Sequence, residues 1–113
     1  MPLRRKDVGI IDPIAKMFVV DLKYVAPLDK IDAAMKEHMV FLKKYYKANN
    51  FIASGRKVPR TGGIILVLAG SLEEAESIIK EDPFVINKLA QYTITEFRTS
   101  QVHADLKKLL ESK

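Results

Sequence analysis

The chain has 113 residues, with 19 Lys and Arg against 14 Asp and Glu for a formal net charge of +5, two histidines and no cysteine. That length suits one domain with its own core, and the lack of cysteine excludes a disulfide framework, a thiolate metal site and a cysteine nucleophile, which is compatible with a reducing cytoplasm. The longest uninterrupted apolar run, Ile64 to Ala69, has strand length, far short of the roughly 20 residues of a membrane span, so no membrane partner is expected. The opening MPLRRKDVGIIDPIAK is basic, but Asp12 and Pro13 interrupt its apolar stretch. It does not read as a secretory leader, and a cytoplasmic location is expected. Because much of the cationic excess sits in that opening, charge alone is weak support for a nucleic-acid partner.

In chain order, MFVVDLKYV alternates, Phe18, Val20, Leu22 and Tyr24 pointing one way and Val19, Asp21, Lys23 and Val25 the other, which predicts a first strand. Pro27 ends it, and Asp29 is the expected N-cap of a helix. The stripe Ile31, Met35, His38, Leu42 and Tyr45 recurs at intervals of four, three, four and three, carrying that helix to about Lys47, with Asn49-Asn50 as the turn beyond. FIASGRKV predicts a second strand weakened at Gly55, PRTGG a hairpin turn, and IILVLA a third strand that is apolar on both faces. Ser71 and Glu74 have the spacing of a capping box for a helix running to about Lys80. Asp82-Pro83 reads as a cap followed by proline at the first helical position, opening one or two turns through Lys88. QYTITEFRT predicts a fourth strand, and Val102, Leu106, Leu109 and Leu110 mark a short amphipathic tail helix. The chain therefore divides into an N-terminal extension over 1–16, one domain over 17–99 and a C-terminal helix over 100–113.

The order β-α-β-β-α-β predicts a ferredoxin-like α+β domain, a four-stranded antiparallel sheet with its helices on one face. Two helices leave the apolar residues of the other face without cover. A second copy docked sheet to sheet across a two-fold axis is the expected cover, which makes the protein a homodimer with a pocket between sheet and helices in each subunit. His38 stands in the inward stripe, where an apolar residue is usual. Such an imidazole is either a core group satisfied by a carbonyl or a proton-transfer group held by the fold, and periodicity leaves both open.

The run EHMVFLKKYYKANNFIASGRKVPRTGGIILVLAGSLEEAESIIKEDPFVINKLAQYTITEF resembles the YciI-like (YCII-related) family of the dimeric α+β barrel superfamily, over about Met17 to Arg98. The features that carry the resemblance are the histidine in the first helix, the SGRKVPRTGG hairpin, the SLEEAE helix start and the EDPF tetrapeptide, in that order. What it implies is a ferredoxin-like subunit, a homodimer and an active site built on a histidine and aspartate pair. The family's histidine falls on His38 and its aspartate on Asp82, with Pro83 and Phe84 completing the motif. Members related to chloroaromatic breakdown suggest lyase or dehydrohalogenase chemistry. Residues before Met17 and after Arg98 lie outside the resemblance and inherit nothing from it.

A carboxylate on one nitrogen of an imidazole fixes its tautomer and stabilises its cation. His38 and Asp82 are accordingly the candidate catalytic pair, His38 as general base or acid and Asp82 orienting it, with lone pairs to spare for capping backbone donors. The candidate substrate-binding residues are Tyr24, Ser54, Gly55, Arg56, Arg60, Pro83 and Phe84. The cations Arg56, Lys57 and Arg60 lie near Gly62-Gly63 and suit a carboxylate or phosphate. Small residues before the turn let a ligand approach the backbone. Phe84 beside the pair would favour flat substrates.

Two histidines without cysteine or an H-E-x-x-H spacing imply no metal site, and His103 belongs to the tail. No phosphate-cradling G-x-x-x-x-G-K-[ST] or G-x-G-x-x-G loop and no G-x-S-x-G elbow is present, so no cofactor is expected. The resulting reading is a cofactor-independent acid–base enzyme acting on a small polar or aromatic molecule. Its alternative is a non-catalytic homodimer that binds a small metabolite in the same pocket. RNA-binding modules share the β-α-β-β-α-β order but need stacking aromatics in the third strand. GGIILVLA has none, and no nucleic-acid partner is expected.

Overall fold

A computed structural model describes residues 16–111. The predicted N-terminal extension lies outside the described residues except for Lys16, which begins the first strand. Strands β1 (Lys16–Tyr24), β2 (Phe51–Arg56), β3 (Gly62–Ala69) and β4 (Ala90–Phe97) form one sheet in the order β2-β3-β1-β4, every neighbouring pair antiparallel. Helices α1 (Leu28–Ala33) and α2 (Met35–Lys47) follow β1, α3 (Leu72–Ile79) and α4 (Pro83–Ile86) follow β3, and α5 (Ala104–Glu111) ends the chain. This is the ferredoxin-like arrangement, α+β with an antiparallel sheet.

The alternation read in β1 sends Phe18, Val20 and Leu22 into the main core, where they meet Ile65 and Val67 of β3, Ile31 of α1, Leu42 of α2 and Ile79 of α3. The single helix expected after β1 is two. The N–H of Ala34 is shared between the carbonyls of Lys30 and Ile31, a tight turn that separates α1 from α2. Pro27, with φ −60° and no side-chain cap, occupies the N-cap expected for Asp29, which instead stands in the first turn facing the helix dipole. The end of α2 follows from Asn49, whose φ of 64° lets Asn50 N–H reach Tyr45 O at 2.9 Å and Asn49 N–H reach Tyr46 O at 3.1 Å. Buried Asn50 then donates from Nδ2 to Leu68 O at 2.9 Å, fastening the helix end to β3.

Ser71 accepts from Glu74 N–H at 3.1 Å as the capping box requires, but the Glu74 carboxylate takes the N–H of Gly70, one residue further back than the usual return bond. At the start of β3 a Cβ on Gly62 would lie 1.8 Å from the Leu22 carbonyl oxygen, so only glycine lets β3 close on β1 there.

The opposite sheet face carries the chain's own tail helix. Leu110 of α5 is buried with Met17 of β1 and Leu68 of β3, and Ile52, Leu66, Leu106 and Leu109 pack around them. The chain's own tail thus covers one end of the face, because an amphipathic helix must put its apolar stripe against something. No helix among the described residues is long and apolar enough to cross a membrane.

Candidate active site

α2 and α4 bring the two halves of the site together. His38 occupies the inward stripe of α2, and Asp82 is the N-cap of α4, held at the end of the α3–α4 turn by the proline that follows it. His38 Nδ1 stands 2.9 Å from Asp82 Oδ1, with Asp82 fully buried and the His38 side chain 12% exposed. The same Oδ1 accepts the N–H of Phe84 at 2.9 Å, so one oxygen both caps the helix and holds the imidazole. Asp82 Oδ2 is buried without a hydrogen-bond partner among the described residues. Phe84 then lies flat on the imidazole, ring centroids 4.0 Å apart and planes 7° from parallel, and meets Tyr24 edge-on at 5.9 Å. Stacking on one side and a carboxylate at one corner leave the ring little freedom to turn. Since an ionised carboxylate is only an acceptor, it assigns the neutral imidazole proton to Nδ1 and leaves the lone pair on Nε2. That nitrogen has no hydrogen bond among the described residues.

His38 lines a cavity of about 520 Å³ between sheet and helices, a volume suited to a small ligand. Leu22 and Ile65 form part of its floor, Met35, Met39 and Leu42 of α2 a wall, and Ser54 to Arg56 the β2 side. Gly63 stands between Arg56 and Leu22 in the cross-strand row, so that row has no side chain at its centre. The profile of the YCII-related domain matches residues 17–98. The chain belongs to the YCII-related domain family. No curated protein and no solved structure matches it significantly.

Of the residues expected to bind substrate, Tyr24, Ser54, Gly55, Arg56, Arg60 and Phe84 line the cavity of this YCII-related domain, whereas Pro83 does not. Pro83 sits at the first helical position of α4, where its fixed φ sets the turn that aims Asp82. A Cβ on Gly55 would meet nothing within 4 Å, so packing does not require glycine there. The expected cation trio is split. Arg56 pairs with Gly63 on the helix face of the sheet, and alternation sends Lys57 to the other face, where its Nζ meets Asp21 Oδ1 at 2.5 Å. Arg60 Nη2 donates to Asp32 Oδ1, and its Nε is enclosed without an acceptor among the described residues. That hydrogen bond holds the Asp32 carboxyl below the usual carboxylate range, the charge of Arg56 adding to it, and raises Arg60 in turn. Among the described residues no group of three or more His, Asp or Glu side chains is gathered for a metal ion.

Two features escaped the sequence reading. Asp32 and Met39, which stand outside the stripe of Ile31, Met35 and His38, line the cavity beside Met35. The second feature is a further tie beside the pair. Glu81 accepts from Lys44 Nζ at 2.9 Å and from the Tyr45 hydroxyl at 2.5 Å. The hydrogen bonds from Lys44 and then Tyr45 hold the Glu81 carboxyl down, while burial and then Glu81 push the Tyr45 phenol up.

Proposed function

We propose that this YCII-related protein is a cofactor-independent acid–base enzyme of lyase or dehydrohalogenase type, acting on a small polar or aromatic molecule held in the cavity beside His38. The observation that carries the reading is the imidazole whose Nδ1 is committed to a buried carboxylate while Nε2 stays unpaired on a ligand-sized cavity. In the elimination this arrangement suits, Nε2 takes a proton from a substrate carbon, the C–H pair becomes the new C=C bond, and the group on the adjacent carbon leaves with its own electron pair. Asp82 stabilises the imidazolium until the proton passes to solvent. No oxidant or second substrate is needed for that balance.

The homodimer belongs to the same proposal. α5 covers only the Met17 and Leu68 end of the outer sheet face, and Val19 and Ile64 stand further along it, suited to a second copy. Residence in the cytoplasm without a nucleic-acid partner completes the reading, supported by a third strand that offers no aromatic for base stacking. The reading opposed to catalysis is a metabolite-binding homodimer using the same cavity. Incubation with a pool of small metabolites, followed by mass spectrometry, separates the two. The expected result is consumption of a component, reduced by about 10²-fold or more in His38→Gln with the circular dichroism spectrum unchanged. A component retained by both proteins and consumed by neither overturns the enzyme and leaves the binding module. Sedimentation tests the dimer: Val19→Glu should give monomers, and a wild-type chain that sediments as a monomer removes it.

A further inference from the structure

We infer that the cavity takes a small monocarboxylic acid with an apolar or aromatic body, its carboxylate seated on Arg56 and its reacting carbon toward His38. This rests on the acid–base reading for the second contact and stands on its own for the first. Two guanidinium groups line the cavity, and they are not equivalent. Arg60 is committed to Asp32, its charge offset and its orientation set by that pair. Arg56 has no hydrogen bond or ion pair among the described residues, yet its charge reaches Asp32 and helps lower that carboxyl. Asp32 and Arg60 cancel, and Arg56 leaves one positive charge in surplus on the cavity wall.

A singly charged anion matches that surplus. A phosphate dianion carries a second charge that must face Asp32, with the buried Asp82 behind His38. The planar fork of a guanidinium fits a carboxylate through two parallel N–H bonds, which is more directional than a point charge. Gly63 keeps the row between Arg56 and Leu22 free of side chains, giving the carboxylate a way to lie against the sheet. Met35, Met39, Leu42 and Phe84 supply an apolar surround for the rest of the molecule. The polar end and the apolar surround together select an amphiphile, neither a sugar nor a nucleotide.

The probes are benzoate, benzamide and phenyl phosphate, added to the full chain and followed by isothermal titration and by the side-chain resonances of His38. Benzoate should bind and move those resonances, and benzamide should bind at least about tenfold more weakly because it lacks the charge. Arg56→Gln should weaken benzoate by about tenfold or more, while Arg56→Lys should restore only part of the loss, since an ammonium lacks the fork. Both substitutions are at an exposed position and should leave thermal unfolding unchanged. His38→Gln should keep benzoate affinity within about twofold. Benzoate that fails to bind, or binds Arg56→Gln as well as wild type, overturns the proposal. Phenyl phosphate binding more tightly than benzoate overturns the choice of a monoanion. Loss of turnover in every assay alongside intact, Arg56-dependent benzoate binding instead refutes the acid–base reading and leaves this site standing.

Discussion

Two polar ties join α2 to the turn before α4, at neighbouring carboxylates, and they sit in opposite surroundings. His38 meets Asp82 where the carboxylate is fully buried, and Lys44 and Tyr45 meet Glu81 where its side chain is 44% exposed. Water competes for the outer tie and cannot compete for the inner one, so donors and acceptors of similar kind do different things. The outer tie adds little stability. The inner one is costly to disrupt, because removing Asp82 leaves the buried Phe84 N–H without its acceptor and takes the partner from His38 Nδ1. The same seclusion fixes the imidazole's tautomer and aims its second nitrogen, which is why the buried tie is the one suited to chemistry.

The sharpest way to break that contrast is Asp82→Ala. It removes the cap on Phe84 N–H and the acceptor for His38 Nδ1 together, and unfolding by denaturant should show a loss of about 3 kcal/mol. Asp82→Asn separates the roles. The amide oxygen can still accept from both donors, so the stability loss should fall to about 1 kcal/mol. An amide has no charge to stabilise an imidazolium, and any turnover the wild type shows should drop by about 10²-fold or more. An asparagine variant as unstable as the alanine one would mean that charge, and not hydrogen bonding, holds the inner tie.

That the inner tie was legible in the sequence and the outer one was not has a physical cause. A helical stripe places His38 inward and an Asp-Pro pair before an apolar residue marks a cap, but it is the family resemblance that relates the two residues as a pair. Phe41, buried at 6% exposure in the main core, stands one residue before Leu42 and outside the stripe. Lys44 and Tyr45 stand on α2 and Glu81 in the turn before α4, all of them exposed or half-buried, and no periodicity relates Glu81 to the other two. The division of α1 from α2 at Ala34 leaves no glycine or proline to announce it. Strand alternation could have separated Arg56 from Lys57 once the register was known, but register is set by pairing across the hairpin. The tail's amphipathic pattern was plain, and where its apolar stripe would settle depended on which face of the sheet stayed open.

The smallest effects test the outer tie. Glu81 is held below its ordinary value in the folded chain, so its contribution is present above the unfolded carboxylate range and is lost as the pH falls through the folded value. Glu81→Gln should therefore lower Tm at neutral pH by about 2 °C or less, and the difference should vanish in acid and shrink in high salt. Under the same salt the effect of Asp82→Ala should hold, since a sealed contact is screened far less. Tyr45 gives the alkaline counterpart. Its phenol is pushed up by burial first and by Glu81 second, so its share of stability is complete below the unfolded tyrosine value and lost as the pH rises through the folded one. Phenolate absorbance should show a late-titrating component that Tyr45→Phe removes. In Glu81→Gln that component should move only part of the way back, because the burial that causes the larger part of the shift stays in place. A full return to the ordinary value would assign the shift to the carboxylate and make the outer tie stronger than its exposure allows.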